Sequence, residues 1–571
     1  LPDPELIGST DHDKQEIGDH LACQNLWIRQ HRMPAPPDTA DQKPASPMSR
    51  DRMRLSALDR LIRSTALFGW QLRGGNRGAL RASLQDPWRG NLENGRDILT
   101  DRLDPTRDPA YFQSFEWVRD LRVEGSSEAR SRARDLITSW VSANQRWKLP
   151  GWRPDIMGRR LAVLALNYGW YGNSAPESFQ DMLSAALDIQ LNCLASDWQR
   201  MRALDDQIAA LRGLALAETT FGVSKETFSA LLEILASKLD TVMVPDGGHA
   251  SRMPDQHVTL MRQLVELRIA AAATGVDSTN LGEMITRMGA VTRMWRHGDG
   301  RLTHFNGGGG VPAAHVEETL LRSGVRGKPL QQAPYTGFLR IGSGRTIVIM
   351  DAGEPAVMKD GRSVTGLGTL GFELSVGPTQ LIVNPGQMMT DPTMRRIMSS
   401  TAAHSTLGLD NQNSSSPQTG RMASISGVEV GEADGGILAV ATHDGYEPSH
   451  GLLHHRKLYL KTGGSNLRGS DILEYSGAPG EVPHLALIRF HLHPRVSAAM
   501  LSNGSVLMKI RGSKTGWTLK AAGATTELDN SVYFEDGVRQ ASQQIILKAV
   551  ISDIRTIGTR EVRWAFTRGN Q

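Results

Sequence analysis

The chain has 571 residues, with 64 Lys and Arg against 60 Asp and Glu, a formal charge of +4, and only two cysteines, Cys23 and Cys193. That length is too great for one ordinary hydrophobic core, so at least two large domains are expected. Two distant cysteines exclude a disulfide framework or a cysteine zinc cluster, no run of 18 apolar residues marks a membrane-spanning helix, and so mild a charge excess points to no particular partner.

Residues 1–50 are rich in Pro, Asp and Gln, with PAPPDTADQKPASP at 34–47, and read as a flexible lead-in. The opening LPDPELIGSTDHDKQE has acids and no apolar core, unlike a secretory signal; without an initiating Met a removed leader stays open, and the compartment (periplasmic or cytoplasmic) with it. From 51 to 296 the pattern is helical. Phe228, Leu231, Leu232, Leu235 and Leu239 form one apolar stripe, and Leu260, Leu264, Leu267 and Ala271 another. Short turns between such helices make α/α hairpins. Residues 297–334 begin with HGDGRLTHFNGGGGV, a Gly-rich crossover without a helical stripe. From 335 to 571 the period changes to two: Phe372, Leu374 and Val376; Leu381 and Val383; Val506, Met508 and Ile510; Ile545, Leu547 and Ala549. Stacked antiparallel sheets are the natural packing for these strands.

Two islands in this half concentrate imidazole and phenol groups, TAAHSTLGLD at 401–410 and HDGYEPSHGLLHHRKLYL at 443–460. His and Tyr are suited to moving protons at carbon and oxygen without a metal. Both islands resemble the C-terminal domain of the heparinase II/III-like polysaccharide lyases. WRPDIMGRRLA at 152–162, DGGHASRMP at 246–254 and HGDGRLTHFNGG at 297–308 resemble that family's helical half. GRTIVIMDAG at 344–353, LGFELSVGPTQLIVNPG at 370–386 and IRFHLHP at 488–494 resemble its β half. The resemblance runs from about Asp51 to the C-terminus. It implies an N-terminal incomplete (α/α) toroid followed by a C-terminal antiparallel β-sandwich, and cleavage of an acidic, uronate-containing polysaccharide by β-elimination.

Elimination needs a group that neutralises the uronate carboxylate, a base for the C5 proton and an acid for the leaving oxygen. By the resemblance, His404 and Tyr446 are the proton-transfer residues, with His249, Arg252, Gln256, His443 and His454 contacting substrate or orienting partners. The helical half departs from the family pattern. Ser251 stands at an acid position, Gln256 where the toroid tyrosine belongs, and Asp206–Gln207 near an Asn-His step. Gln has no proton to exchange, and an aspartate repels a uronate. His491 and His493, two apart on a strand, share a face and keep a structural zinc open, although the chemistry needs no cofactor. Two alternatives stand beside the lyase. One is a non-catalytic glycan-binding or exopolysaccharide-associated protein. The other is a toroid glycoside hydrolase drawing on Asp155, Asp205 and Asp206. No GxSxG elbow, phosphate loop or nucleic-acid motif is present, and the oligomeric state is open.

Overall fold

The computed structural model describes residues 52–569 except 74–79, 82–83, 222, 357–365, 387–391, 411, 478–479, 514 and 536. The expected lead-in at 1–50 lies outside the described residues. Helices occupy the N-terminal part and two antiparallel sheets the C-terminal part.

The helical part alternates two kinds of helix, which we number from residue 117: α1 Trp117–Glu124, α2 Ser127–Ala143, α3 Pro154–Tyr171, α4 Glu177–Asp197, α5 Leu204–Thr220, α6 Lys225–Val242, α7 Pro254–Thr274 and α8 Thr279–Met294. α3, α5 and α7 are buried nearly all round. α4 and α6 bury one stripe each, Phe179, Leu183, Leu187 and Leu191 in α4, and Phe228, Leu235, Leu239 and Val242 in α6. A helix apolar on every side sits inside a layer, and one apolar on a single stripe covers it. The alternation is therefore an inner and an outer ring, an incomplete (α/α) toroid.

Glycines let the inner helices touch. A Cβ added to Gly213 of α5 would lie 2.1 Å from the Gly158 carbonyl oxygen of α3, and one added to Gly158 would lie 2.4 Å from the Ala209 carbonyl oxygen. This contact fixes the spacing of the α3 and α5 N-termini.

The crossover is more structured than its composition suggests. It holds a helix, Ala313–Ser323, whose Val316 and Leu320 pack with Val258, Val291 and Trp295 of the toroid and with Phe338 and Ile349 of the first sheet. Among the described residues one sheet has nine strands and the other eight. Their facing sides bury Phe372, Phe490, Trp564 and Phe566, with the Phe372 and Trp564 rings stacked at 5.5 Å. The expected strands Phe372–Val376, Thr379–Val383, Val506–Ile510 and Val538–Val550 are all present.

Hydrogen bonds also join helical part and sandwich, Arg340 Nη1 donating to the Met294 carbonyl at 2.8 Å among them. Asp246 accepts the backbone N–H groups of Tyr335 and Thr336, each at 2.8 Å. Arg252 reaches into the sandwich, as described below. Substituting Gly213→Ala is expected to destabilise the chain by about 1–3 kcal/mol, because the clashing atoms are backbone that cannot turn aside. Thermal unfolding of the variant beside a Gly282→Ala control in α8, where the added methyl meets no neighbouring atom, checks this.

Candidate functional site

The inner helices present their N-termini at one mouth. Pro154 and Pro254 occupy the first turns of α3 and α7, where a missing N–H costs nothing. Each first turn also carries carboxylates, Asp155 in α3, Asp205 and Asp206 in α5, and Asp255 in α7. Unpaired backbone N–H groups and the helix dipole favour negative charge there.

The four carboxyl groups are held differently. Arg153 clasps Asp155 with two bonds, Nε to Oδ1 at 2.5 Å and Nη2 to Oδ2 at 2.8 Å. Burial opposes ionisation of Asp155, but this clasp outweighs it and keeps the carboxyl below its ordinary range. Asp206 is 5% exposed, with one oxygen 3.5 Å from Arg52 and the other, Oδ2, without a partner. Burial, and then the charge of Asp155, push Asp206 up to about 6. Asp205 accepts His249 Nε2 at 2.9 Å and Gln256 Nε2 at 3.2 Å. Asp255 accepts the N–H groups of Gly309 and Gly310 at 3.1 and 2.7 Å, which ties the Gly-rich crossover to the mouth. Burial raises its pKa.

The expected site residues fall into separate places. His249 is at the mouth but faces Asp205. The Ser251 N–H donates to His249 Nδ1 at 3.1 Å, so the ring proton sits on Nε2 and is given to Asp205. Gln256 is beside it, and its Oε1 has no partner. Arg252 was expected at a substrate carboxylate. Instead its Nε donates to the Thr336 carbonyl at 2.8 Å, Nη1 to that of Glu354 at 2.7 Å, and Nη2 to that of Gly337 at 3.0 Å and to Asp351. It is an interdomain latch, 6% exposed.

His404 is 4% exposed, and its Nδ1–H donates to the Ser400 carbonyl at 2.8 Å. That bond fixes the tautomer with the lone pair on Nε2, and burial lowers the pKa, so the ring is neutral. This is the form a general base needs. Tyr446 is not with it. Its side chain is fully buried in the sandwich core, its hydroxyl donates to the Leu407 carbonyl at 3.1 Å, and burial pushes the phenol pKa up. Tyr446 is a core residue here, contrary to the expectation from the resemblance.

His443 and His454 likewise lie inside the sandwich, 1% and 0% exposed. The Gly445 N–H donates to His443 Nδ1 at 3.0 Å, so His443 Nε2–H donates to His454 Nδ1 at 3.0 Å, and His454 Nε2–H donates to Asp471 at 2.8 Å. Arg456 and the Trp564 indole complete the Asp471 carboxylate at 2.7 and 2.8 Å. The chain of donors is closed and reaches no surface, which corrects the expectation that these histidines contact substrate.

His491 and His493 do share a face, toward the strand Thr525–Glu535. His491 Nδ1 is bonded to the Ser531 hydroxyl at 2.7 Å and Nε2 to the Ala402 carbonyl at 3.1 Å. A ring with both nitrogens bonded has no lone pair for zinc, and among the described residues no cluster of three or more His, Cys, Asp or Glu could hold a metal ion. The donor set does not fit a structural zinc.

One imidazole–phenol pair escaped the sequence argument. His304, from the HGDGRLTHFNGG motif, stacks on Tyr533 with ring centres 5.1 Å apart. Both ring nitrogens of His304 and the Tyr533 hydroxyl are buried without partners. The motif was visible, but nothing around Tyr533 in SVYFEDG announces it.

Asp206 also gives a stability prediction. Its folded pKa lies above its unfolded one, so its favourable contribution is complete below the unfolded value, near 4, and is lost as pH rises through about 6. Asp206→Asn is therefore expected to be more stable than the parent at pH 8, by on the order of 2 kcal/mol, with the difference vanishing at pH 4. Unfolding midpoints measured across that range check the sign.

Known proteins agree with this architecture. Residues 325–565 match the family model described as heparinase II/III-like, C-terminal. FtsZ-localized protein C of Caulobacter vibrioides is 29% identical over 486 residues, covering 80% of this chain and 81% of the relative. Among solved structures, a mutant of heparan sulfate lyase HepC from Pedobacter heparinus superposes with a TM-score of 0.63 at 13% identity, over 91% of this chain and 92% of that one. A heparinase III structure gives 0.62 at 14% identity, over 98% and 91%. At these identities the structures speak for the fold, and the match at 325–565 shows that this segment is similar to the C-terminal domain of heparinase II/III-like proteins.

Proposed function

We propose that this chain is a glycan-binding protein on the polysaccharide-lyase fold, with its glycan site at the toroid mouth and without uronate β-elimination. The observation that carries the reading is the bond from Gln256 to Asp205. Where the resemblance puts a proton-bearing tyrosine there is a carboxamide, and it is turned to a carboxylate. A uronate carboxylate brought within about 4 Å of Asp205 meets a repulsion of ~1–4 kcal/mol at effective dielectric constants of 80 to 20. Arg252, the cation expected to offset it, has its donors engaged across the domain boundary. The phenol of Tyr446 is engaged in the sandwich core.

The purified chain is expected to bind polysaccharide in affinity electrophoresis while the near-ultraviolet absorbance of heparan sulfate, alginate and glucuronan stays flat. A second reading keeps elimination, and the unpartnered His304 and Tyr533 favour it. If absorbance rises with any of these substrates and the rise disappears in Tyr533→Phe or His404→Ala, elimination is the function and the binding-only reading is wrong. The likeness to a relative named for its localisation with FtsZ supports extending that localisation to this chain. A fluorescent fusion that fails to follow FtsZ in the source cells would remove that extension.

A further inference from the structure

Helix Ala57–Ser64 is built with its apolar side outward. Leu58, Leu61 and Ile62 stand at positions i, i+3 and i+4 and share one face. The buried side chain of this helix is Arg63 instead. Its Nη2 donates to Asp197 Oδ1 at 2.8 Å and its Nη1 to Asp197 Oδ2, and its Cζ lies 4.8 Å from the Phe68 ring centre. Helix Ala66–Gln71 follows and adds Leu67 and Trp70. Leu58, Leu61, Ile62, Leu67 and Trp70 are 50–68% exposed.

The segment is fastened to the toroid at both ends. The Arg54 N–H donates to the Arg200 carbonyl at 2.8 Å, the Arg202 N–H to the Arg52 carbonyl at 3.0 Å, and Asn192 Nδ2 to the Leu72 carbonyl at 2.8 Å. Between these ties the buried Arg63–Asp197 pair holds the first helix with its charge inward. Five large apolar side chains left in solvent on two consecutive helices cover on the order of several hundred Å², the size at which an exposed patch marks an interaction site.

Charge identifies what covers it. From Arg52 to Arg81 the sequence has seven arginines and a single acid, Asp59. Asp59 is engaged in the helix cap, where its carboxylate accepts the Ser56 N–H at 3.0 Å and the Ser56 hydroxyl at 2.7 Å. Arg54, just before the first helix, and Arg73, just after the second, are exposed. We propose that these two helices dock on an anionic lipid bilayer. They lie in the plane of the interface, with the five apolar side chains at the acyl boundary and the flanking arginines at lipid phosphates. Helices of eight and six residues are too short to cross it. A second copy of the chain would set two arginine-bordered faces against each other, where like charges repel.

The docking segment starts at the toroid mouth. Arg52 Nη1 lies 3.5 Å from Asp206 Oδ1, and a bridge between Met53 and Met201 joins the segment to the turn before α5. Docked helices therefore hold the mouth beside the bilayer, within reach of glycan borne on that surface. The lipid proposal goes beyond the glycan reading and stands without it.

The test sediments the full chain with vesicles of phosphatidylcholine alone and of equal parts phosphatidylcholine and phosphatidylglycerol. The expected result is pelleting with the phosphatidylglycerol vesicles, binding at least about 10-fold weaker to phosphatidylcholine alone, and loss of that difference in about 0.5 M salt. Leu61→Glu combined with Trp70→Glu is expected to weaken vesicle binding at least about 10-fold. Arg54→Glu combined with Arg73→Glu is expected to remove the preference for the anionic lipid. All four side chains are exposed, so the unfolding midpoints are expected to match the parent. Should the glutamates lower the midpoint, Leu61→Ser with Trp70→Ser carries the same expectation. Absence of binding to phosphatidylglycerol vesicles overturns the proposal, and so does undiminished binding by the Leu61 and Trp70 variants. A dimer that these variants convert to monomer, or a complex with polyglutamate that they abolish, in either case without vesicle binding, assigns the face to a second copy or to an acidic protein and overturns the lipid.

Discussion

Arg252 ties the two halves of this molecule together, and the geometry of the mouth depends on it. The residue sits at a positive φ of 58° in the turn between α6 and α7. Its carbonyl accepts the Asn306 amide at 3.0 Å, its guanidinium fans out over three carbonyls and Asp351, and its Cζ lies 4.9 Å from the Phe338 ring centre. A guanidinium suits this role because five N–H groups in a rigid fork can meet several acceptors at once. Removing one partner of such a buried pair typically costs ~3–5 kcal/mol, because the other charge is left without compensation. The loss would fall on the segment that carries His249 and begins α7. The latch therefore holds Asp205, Gln256 and Asp255 in register as well as the domains.

Histidine density in the sandwich has a structural explanation of the same kind. Asp471 is fully buried, and its carboxylate is kept well below the ordinary range because Arg456 and His454 outweigh the penalty of burial. A polar group inside a β-sandwich needs all its bonds made. His454 passes its donor to Asp471 and takes one from His443, which takes one from Gly445. Burial lowers the pKa of both rings, so they stay neutral and can each donate once and accept once. The relay shape comes from satisfying a buried aspartate.

Periodicity made much of this legible, and some of it more than residue type suggested. In the strand Leu452–Lys461, Leu452, His454, Arg456, Leu458 and Leu460 alternate on the buried face. Period two alone assigns His454 to the core with the leucines, against its attraction as a site residue. Ala439, Ala441 and His443 do the same in the preceding strand. Tyr446 could not be placed this way, because a register shift intervenes between His443 and Tyr446 and changes which face follows. The helical stripe from Phe228 to Leu239 was readable, with Leu231 and Leu232 at its half-buried edge. The partnership of Asp205 with His249 and Gln256 was not, since it joins residues 44 and 51 apart through the closure of one ring of helices. Arg252 was misassigned for the same reason. A lone arginine in a turn reads as available until the carbonyls that saturate it are brought in from another domain.

The mouth illustrates how a scaffold can keep its shape while its chemistry changes. Inner helices that converge through the Gly158 and Gly213 contact bring several positive dipole ends together, and something negative or polar has to meet them. Carboxylates in the first turns answer that need from within the chain, whereas an anionic ligand would answer it from outside. Burying carboxyl groups there has a cost, which appears as raised pKa values at Asp206 and Asp255, and at Asp206 the charge of Asp155 adds to it. The stabilisation of the helix ends and the retention of a proton at Asp206 are then two results of one arrangement. A sequence that fills its helix N-termini with its own acids loses affinity for uronates and gains a carboxylic acid near neutral pH.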